Sequence, residues 1–517
     1  MPRKPKAKDG LTAGERVALY EAEKAQKRAQ RVNDGDEAAN NAEKAVNVED
    51  ATTLAVVPPK KEPKILPKPQ HATVKVDFSF VDGKIKPMHA MCNGPKSYGA
   101  DISGLFREIG VPGVRFAGTD TAMSAYAVDI SRIFKNPDAD PQDARNYDFA
   151  LSDRYVRAAH DCGAKVIFRL GESYDRYGAK TVTLPVDADR FSEVCVNVIR
   201  HYNDYWAGGF AYGIERFEIL ECPEGIGEDE RARLFELYRK VSTVVKMYDG
   251  SLRVGGMCFN DEGAAREFIK FCRRKHAPLD FLTVSCFDSD PAEASDRVKR
   301  LVPALKNLGY GETEIIIGSW AYIAKDVDTS TNIAKAIMFG LGGSNEKRAK
   351  LFLAQSGIKG AAYALSFMLE MGAMEDVTAA HLFDAQPSVS PWCPIADRFG
   401  APQKAFYAFK MFGELYRAGR AVYCQSEQTE GYAHTGIYAG AALAENGAAY
   451  VLISSFEGCG VVDLRLDSIP SELYTSEIFI LDGVKNFEAG DSVQLTGSKK
   501  RLLLNLSEYG AVLVKIY

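Results

Sequence analysis

The chain has 517 residues, a net charge of −5, and 46% hydrophobic and 26% charged residues. This length allows a full apolar core and more than one domain. The weakly acidic balance argues against a nucleic-acid-binding or membrane-surface protein, because both classes need a basic face. No apolar run approaches the roughly 20 residues of a membrane span. Neither nucleic acid nor a membrane is therefore expected as a partner.

The ten cysteines are scattered, with no close pairs and no metal-ligand spacing. We expect buried thiols in a reducing compartment, which indicates a cytoplasmic protein that needs no metal or other cofactor. The first thirty residues carry charge but no apolar segment of the kind that forms a secretory signal.

Residues 1–70 differ in composition from the rest of the chain. Residues 1–32 hold nine Lys/Arg against four Asp/Glu, a net charge of +5, which leaves −10 for the remainder of a chain whose total is −5. Capping-box spacing from Thr12 to Glu15 predicts a helix over residues 13–31. The following "VVPPKKEPKILPKPQ" predicts an extended linker. Two interpretations stay open: a disordered solubilising tail, or an arm for a protein partner or for self-assembly.

Strand-like runs and amphipathic helical segments alternate over residues 87–418. The runs include "GVRF", "KVIFRLGE", "RFEILE", "LRVGGMCF", "FLTVSCF", "EIIIGSW" and "AAYALSF". About eight such units over ~330 residues predict an α/β fold with a (β/α)8 barrel. A doubly wound sheet is the alternative, but no glycine-rich phosphate loop follows the first strand.

Short strands separated by turn residues replace the helical period in residues 419–517. They include "AAYVLISSF", "VVDLRL", "SEIFILDG" and "GAVLVKIY". This pattern predicts a C-terminal antiparallel β-sandwich. Residues 71–86 alternate in the same way and are predicted to add strands to it. The complete prediction is a helical and Pro-rich extension, a (β/α)8 barrel and a sandwich.

Two predicted strand ends carry the residues that decide whether this barrel is an enzyme. "EILECPEG" ends about the fourth strand and "IIIGSWAY" about the seventh. In such barrels the chemistry lies at the carboxyl ends of the strands. Retaining hydrolysis of a glycoside needs a carboxylic acid and a carboxylate nucleophile about 5–5.5 Å apart.

Several motifs taken together resemble glycoside hydrolase family 39, the β-xylosidase and iduronidase-like barrels of clan A, from about residue 74 to the C-terminus. "MHAMCNGP" is similar to that family's His-Gly-Val-Asn-Asn-Gly-Pro segment. "RHYNDYWAGGFAYGIERFEIL" is similar to its approach to the fourth strand, and "FGAPQKAFYAFKMFGELY" to its last barrel unit. The resemblance implies a barrel that binds or cleaves carbohydrate.

The same resemblance implies that both catalytic positions are substituted. The family's fourth strand ends Trp-Asn-Glu-Pro, in which the Glu is the acid/base; here Glu221 stands at the Asn position and Cys222 at the Glu position. The family's nucleophile is a Glu before a Trp, and here Ser319 precedes Trp320. The resemblance implies a sugar-binding set around them: Glu172, Arg115, Asn93, Trp320 and Tyr322.

Two hypotheses for function follow. The first is a catalytically degenerate pseudo-glycosidase that serves as a structural module or as a carbohydrate- or protein-binding module. The alternative is an active, xylosidase-like hydrolase with relocated carboxylates such as Glu221. Adjacent side chains of a strand point to opposite faces, so Glu221 would need a bulge to reach the site. Cys222 is either a thiolate nucleophile or a small side chain that fills the vacated carboxylate site.

Overall fold

The computed structural model describes residues 71–97, 100–117, 126–173, 184–185, 187–223, 225–325, 353–387, 393–427, 436–458, 460–469, 475–495 and 500–517. The predicted extension, residues 1–70, lies outside the described residues, and so does its helix. The described residues all belong to one compact unit, Leu66–Tyr517.

Eight parallel strands form a closed barrel in chain order. After a first strand β1, His71–Lys84, the barrel strands are β2 Ala90–Cys92, β3 Gly113–Arg115, β4 Lys165–Leu170, β5 Arg216–Ile219, β6 Arg253–Phe259, β7 Phe281–Asp288, β8 Glu314–Tyr322 and β9 Val377–Leu382. The fourth barrel strand is thus β5 and the seventh is β8. Their buried, near-continuous apolar sequences are typical of parallel strands that helices cover.

The helices of the described ranges are α1 Ser103–Ile109, α2 Ile130–Ile133, α3 Ala150–His160, α4 Ala188–Asn203, α5 Glu228–Tyr248, α6 Glu262–Lys275, α7 Pro291–Asn307, α8 Ile358–Ala373 and α9 Lys404–Ala418. Three of these helices have an aspartate at the N-cap position. The side chains of Asp187, Asp261 and Asp290 accept hydrogen bonds from the first-turn backbone of α4, α6 and α7. Each cap satisfies backbone donors that the helix itself leaves unpaired. None of the helices described is long and apolar enough to cross a membrane.

The second domain is one mixed sheet of nine strands. Besides β1 it contains β10 Arg420–Glu427, β11 Ile437–Leu443, β12 Ala449–Phe456, β13 Val461–Asp467, β14 Thr475–Leu481, β15 Asn486–Gln494, β16 Lys500–Asn505 and β17 Tyr509–Ile516. The order is β15-β14-β17-β12-β11-β10-β1-β13-β16. Strand β1 pairs antiparallel with β10 and parallel with β13, so the sheet is not purely antiparallel.

Both halves of this sheet contribute to one apolar core, as in a sandwich. The cluster contains, among others, Val76, Val451, Leu464, Leu504 and Val514, all at most 5% exposed. The predicted fold class, a TIM barrel with a C-terminal sandwich-like domain, is therefore confirmed. Strand β1 precedes the barrel in the chain, whereas both of its neighbours in the sheet, β10 and β13, follow it.

One predicted barrel strand is wrong. The run "AAYALSF" lies inside helix α8, and the eighth strand is β9, which follows that helix. Helix α8 packs between barrel strands β8 and β9 and sheet strands β11, β12 and β17. It therefore has no solvent face and no amphipathic period. A short apolar run does not by itself distinguish a buried strand from a buried helix.

Candidate functional site

The chain turns sharply at the end of the fourth barrel strand. Leu220 has φ 60°, in the left-handed region that a branched residue rarely adopts. Its side chain is 1% exposed and packs into the main apolar core. Because Leu220 occupies this turn, the alternation of side chains along the strand shifts by one residue. Glu221 therefore follows Glu218 toward the barrel axis, and both carboxylates contact the same guanidinium.

That guanidinium belongs to Arg115, at the end of β3. Its Nε donates to Oε2 of Glu218 at 2.8 Å, and its Nη2 lies 2.7 Å from the same oxygen. The same Nη2 donates to Oε1 of Glu221 at 3.3 Å. The hydroxyl of Thr283 donates to the second oxygen of Glu218 at 2.6 Å. Arginine and both carboxylates are at most 2% exposed. Their pairing offsets the large cost of burying charge.

Ser319, which the sequence resemblance aligns with the nucleophile position, also contacts Arg115. Nη1 of the arginine donates to Oγ of Ser319 at 3.2 Å and to the Gly318 carbonyl at 3.1 Å. The serine is fully buried, and the thiols of Cys92 and Cys258 lie 3.7 and 3.9 Å from its hydroxyl. Among the hydrogen bonds of the described residues, none joins Ser319 to a histidine or carboxylate. A serine needs such a base to become a nucleophile.

Cys222, which the sequence resemblance aligns with the acid/base position, follows Glu221 in the loop after β5. Its N–H donates to the Met257 carbonyl at 2.8 Å. Its half-buried side chain lines a cavity of about 570 Å³ with Arg231, Phe259 and Asn260. Neither Glu221 nor Ser319 lines that cavity. Cys222 and Ser319 therefore do not share this cavity.

A second buried arginine joins the network from the end of β4. Arg169 forms an ion pair with Asp129, and its Nη1 lies 3.8 Å from Oε2 of Glu221. Asp129 also accepts hydrogen bonds from the backbone and hydroxyl of Ser173 at 3.0 and 2.9 Å. Burial raises the pKa of Asp129 above its ordinary value. Glu221 is thus held between two arginines.

Glu172 contacts a helix start rather than the axis. It accepts hydrogen bonds from the backbone and hydroxyl of Ser131, at the start of α2, at 2.8 and 2.5 Å. Burial, followed by the neighbouring charge of Asp129, raises the pKa of Glu172. Arg169 pairs instead with Asp129 and Glu221.

Asn93 connects the first two strand ends. Its Oδ1 accepts from Ala117 N at 3.0 Å, and its own N–H donates to the Arg115 carbonyl at 2.8 Å. Its buried Nδ2 has no hydrogen-bond partner within the described part of the chain. The geometry suits a residue that fixes Arg115 in place.

The two aromatic residues predicted to bind sugar lie on the outer side of the barrel wall. Trp320 stacks on Phe367 of α8, with ring centroids 4.3 Å apart. Tyr322 packs against Tyr363 and Phe456, at 4.8 and 5.8 Å. Ser319 points to the axis, so the strand alternation directs its neighbour outward. Trp320 and Tyr322 therefore pack the barrel against α8 and, for Tyr322, the sheet.

Four members of the network were not among the predicted site residues: Glu218, Asp129, Arg169 and Thr283. Alternation along β5 could have identified Glu218, since Phe217 and Ile219 are the apolar wall residues on either side. Arg169 pairs in register with Glu218 across β4 and β5. No local pattern indicated Asp129, which comes from the segment before α2.

In this network the carboxylates of Glu218, Glu221 and Asp129 are paired with arginines. A guanidinium lies between Glu218 and Glu221, and another between Glu221 and Asp129. On the seventh strand, residues 315–325 contain no Asp or Glu. Nor does any group of three His, Cys, Asp or Glu side chains suited to a metal ion occur within the described ranges.

Several solved glycoside hydrolases share this fold of a closed eight-stranded barrel with an attached β-sheet domain. The chain is similar to a glucosidase from Croceicoccus marinus (TM-score 0.68, 19% identity, 86% of this chain and 98% of that one). It is also similar to the GH39 enzyme from Xanthomonas axonopodis pv. citri (0.59, 13%, 86% and 97%). A third similar structure is a thermostable GH51 α-L-arabinofuranosidase from Thermotoga petrophila (0.58, 11%, 86% and 100%).

At these identities the likeness establishes the fold alone. No family model matches the chain. A search of curated proteins found no match either. The function therefore has to be argued from the site.

Proposed function

We propose that this protein is a catalytically inactive glycoside-hydrolase-like barrel that acts as a binding or structural module. The observation that carries the proposal is the position of Arg115 between Glu218 and Glu221. A retaining glycosidase needs one protonated carboxyl and one ionised carboxylate with room for a sugar between them. Here the guanidinium occupies that room.

The proposal is tested by assaying the full chain against 4-nitrophenyl glycosides of glucose, xylose and arabinose. We expect no release of nitrophenol above the buffer rate, and no difference between the wild type and Glu221→Gln. General acid and covalent catalysis each contribute large rate factors, so an active enzyme would be unmistakable. Turnover at ordinary enzyme rates that disappears in Glu221→Gln would overturn the proposal.

The second candidate, an active hydrolase that uses Glu221, is favoured by one observation. The left-handed turn at Leu220 directs Glu221 toward the axis, which is the relocation that such an enzyme would need. Against it, Glu221 is 2% exposed and lies beside both Arg115 and Arg169. The assay above separates the two candidates, because only this one predicts a rate that depends on Glu221.

We also propose that residues 1–70 act as an assembly arm. Their basic N-terminal part and the net charge of −10 on residues 33–517 favour docking of the arm on an acidic partner or on a second copy. Deletion of residues 1–70 should then lower the number of chains per particle at low salt, as measured by light scattering. An unchanged number of chains and unchanged co-purifying partners would contradict the proposal.

A further inference from the structure

The end of the barrel opposite Arg115 contains a cavity of about 740 Å³, open to solvent. It is lined by the amino ends of several barrel strands and by the loops that precede them. The volume lies in the range of small-molecule sites, about 300–1,000 Å³. The ion-pair network of the other end does not reach it, because none of Arg115, Glu218 and Glu221 lines the cavity.

The cavity exists because three lining positions carry very small residues. They are Ala90 on β2, Gly113 on β3 and Ala379 on β9. Barrel interiors are usually filled by bulky branched side chains. Here Ile167 and Ile316 give the cavity apolar walls, while the opposite side of the axis stays unfilled.

One polar group on the floor of the cavity has a free lone pair. Nδ1 of His381 lies 3.3 Å from the Ile317 carbonyl, which only accepts, so Nδ1 carries the proton and donates it. Burial lowers the pKa of His381 to about 3, so the ring is neutral. Its Nε2 is then an acceptor, and it has no hydrogen-bond partner among the described residues. A buried acceptor in an apolar cavity favours a ligand that donates.

The rim of the cavity carries a small excess of positive charge. Lys165 and Arg216 line it together with one carboxylate, Glu215, which lies 4.0 and 3.6 Å from them. Glu314 pairs with Arg216 at 3.2 Å and with Arg253 at 3.3 Å, away from the lining. The charged side chains that line the cavity, Lys165, Arg216 and Glu215, give it a net charge of +1, which favours an anionic ligand.

We propose that the amino end of the barrel binds a small organic anion with an apolar body and a hydroxyl group, whose hydroxyl donates to Nε2 of His381. The apolar body lies between Ile167 and Ile316, and the charged group faces the rim at Arg216. This site is independent of the proposed function of the carboxyl end, since the two share no side chain.

Isothermal titration of the full chain with three probes tests the proposal. The probes are 4-hydroxybenzoate, 4-methylbenzoate, in which a methyl group replaces the donor, and the uncharged 4-hydroxybenzamide. We expect 4-hydroxybenzoate to bind about 3- to 10-fold more tightly than 4-methylbenzoate, the contribution of one neutral hydrogen bond. It should also bind more tightly than the amide, by a margin that shrinks with added salt.

Variants at the cavity assign the binding to this site. His381→Phe should lose the preference for the hydroxyl, while His381→Gln, which places an acceptor near Nε2, should retain it. Ala379→Leu should fill the cavity and abolish binding of all three probes. Ala232→Leu, at an exposed position of helix α5, is the matched control and should bind as the wild type does.

Three results would overturn the proposal. The first is no binding of any probe at millimolar concentration. The second is equal affinity of the wild type for the hydroxyl and methyl probes. The third is unchanged binding in folded Ala379→Leu or in His381→Phe, which would place the ligand elsewhere. A variant that fails to fold leaves the comparison of probes on the wild type decisive.

Discussion

At the carboxyl end of the barrel, the long charged side chains of Arg115 and Arg169 fill the axis, whereas at the amino end Ala90, Gly113 and Ala379 leave it open. The same eight strands form both ends. The difference shows that strand geometry does not decide whether a barrel has a cavity. The size and the charge of the inward-pointing residues decide it.

The two ends also differ in how their buried polar groups are satisfied. At the carboxyl end Glu218, Glu221 and Asp129 each pair with an arginine, so the charges stabilise one another. At the amino end His381 stays neutral and keeps a lone pair available. We therefore expect the first end to matter mainly for stability and the second mainly for binding. Three changes test this contrast.

Removal of the central guanidinium should have the largest effect. Arg115→Met leaves Glu218 and Glu221 buried without their shared partner, and breaking a buried ion pair from one side costs about 3–5 kcal/mol. The measurement is urea-induced unfolding of the full chain at neutral pH. Adding Glu218→Gln and Glu221→Gln to the same protein should recover part of the loss, because no uncompensated charge is then left.

The control for this change is Arg145→Met. Arg145 pairs with Asp143 at the surface, with 89% of its side chain exposed, so its removal should not measurably alter unfolding. A loss below about 1 kcal/mol in Arg115→Met would show that the network at the carboxyl end does not hold the fold together.

The neutral histidine of the amino end should produce a smaller, pH-dependent effect. Burial lowers the pKa of His381 to about 3 from an ordinary value of 6.5. Between these values the unfolded chain binds a proton that the folded chain does not. Stability due to this group is therefore full above pH 6.5 and falls as the pH decreases toward 3. His381→Gln cannot take up that proton.

Urea unfolding of the wild type and His381→Gln at pH 7.5 and 5.5 measures this contribution. From pH 7.5 to 5.5 the wild type should lose about 1.4 kcal/mol more than the variant. The carboxyls with raised pKa, Asp129, Glu172 and Asp288, act in the opposite direction, but they are common to both proteins and cancel. Parallel pH profiles for the two proteins would contradict a buried, neutral His381.

The smallest effect concerns the turn that directs Glu221 to the axis. Both Leu220→Ala and Leu220→Gly lose the buried side chain, but only glycine adopts φ 60° without strain. We expect the glycine variant to be about 1 kcal/mol more stable than the alanine variant. At the neighbouring Ile219, in the regular part of β5, the order should be reversed. If the alanine variant were more stable than the glycine variant at both positions, the left-handed turn at Leu220 would be contradicted.

Much of the site could be predicted from local sequence patterns. The apolar runs "RFEIL" and "EIIIGSW" indicate two buried strands, and the polar residues after or within them mark their carboxyl ends. Alternation also implies that Ser319 and Trp320 face opposite sides, so the outward position of Trp320 was accessible to the same reasoning. The run "AAYALSF" was not decidable in this way, because burial on all sides removes the period that separates helix from strand.

The sequence by itself determined the order of barrel and sheet, the strand ends that meet at the site, and the absence of Glu from both positions where the family resemblance expects it. Only the tertiary structure decided that Glu221 turns inward at Leu220, that Arg115 lies between two carboxylates, and that the opposite end is hollow. The physical reason is the separation along the chain of the residues that interact. Periodicity depends on neighbours in the chain, whereas Arg115 and Glu221 are 106 residues apart and meet only when the barrel closes.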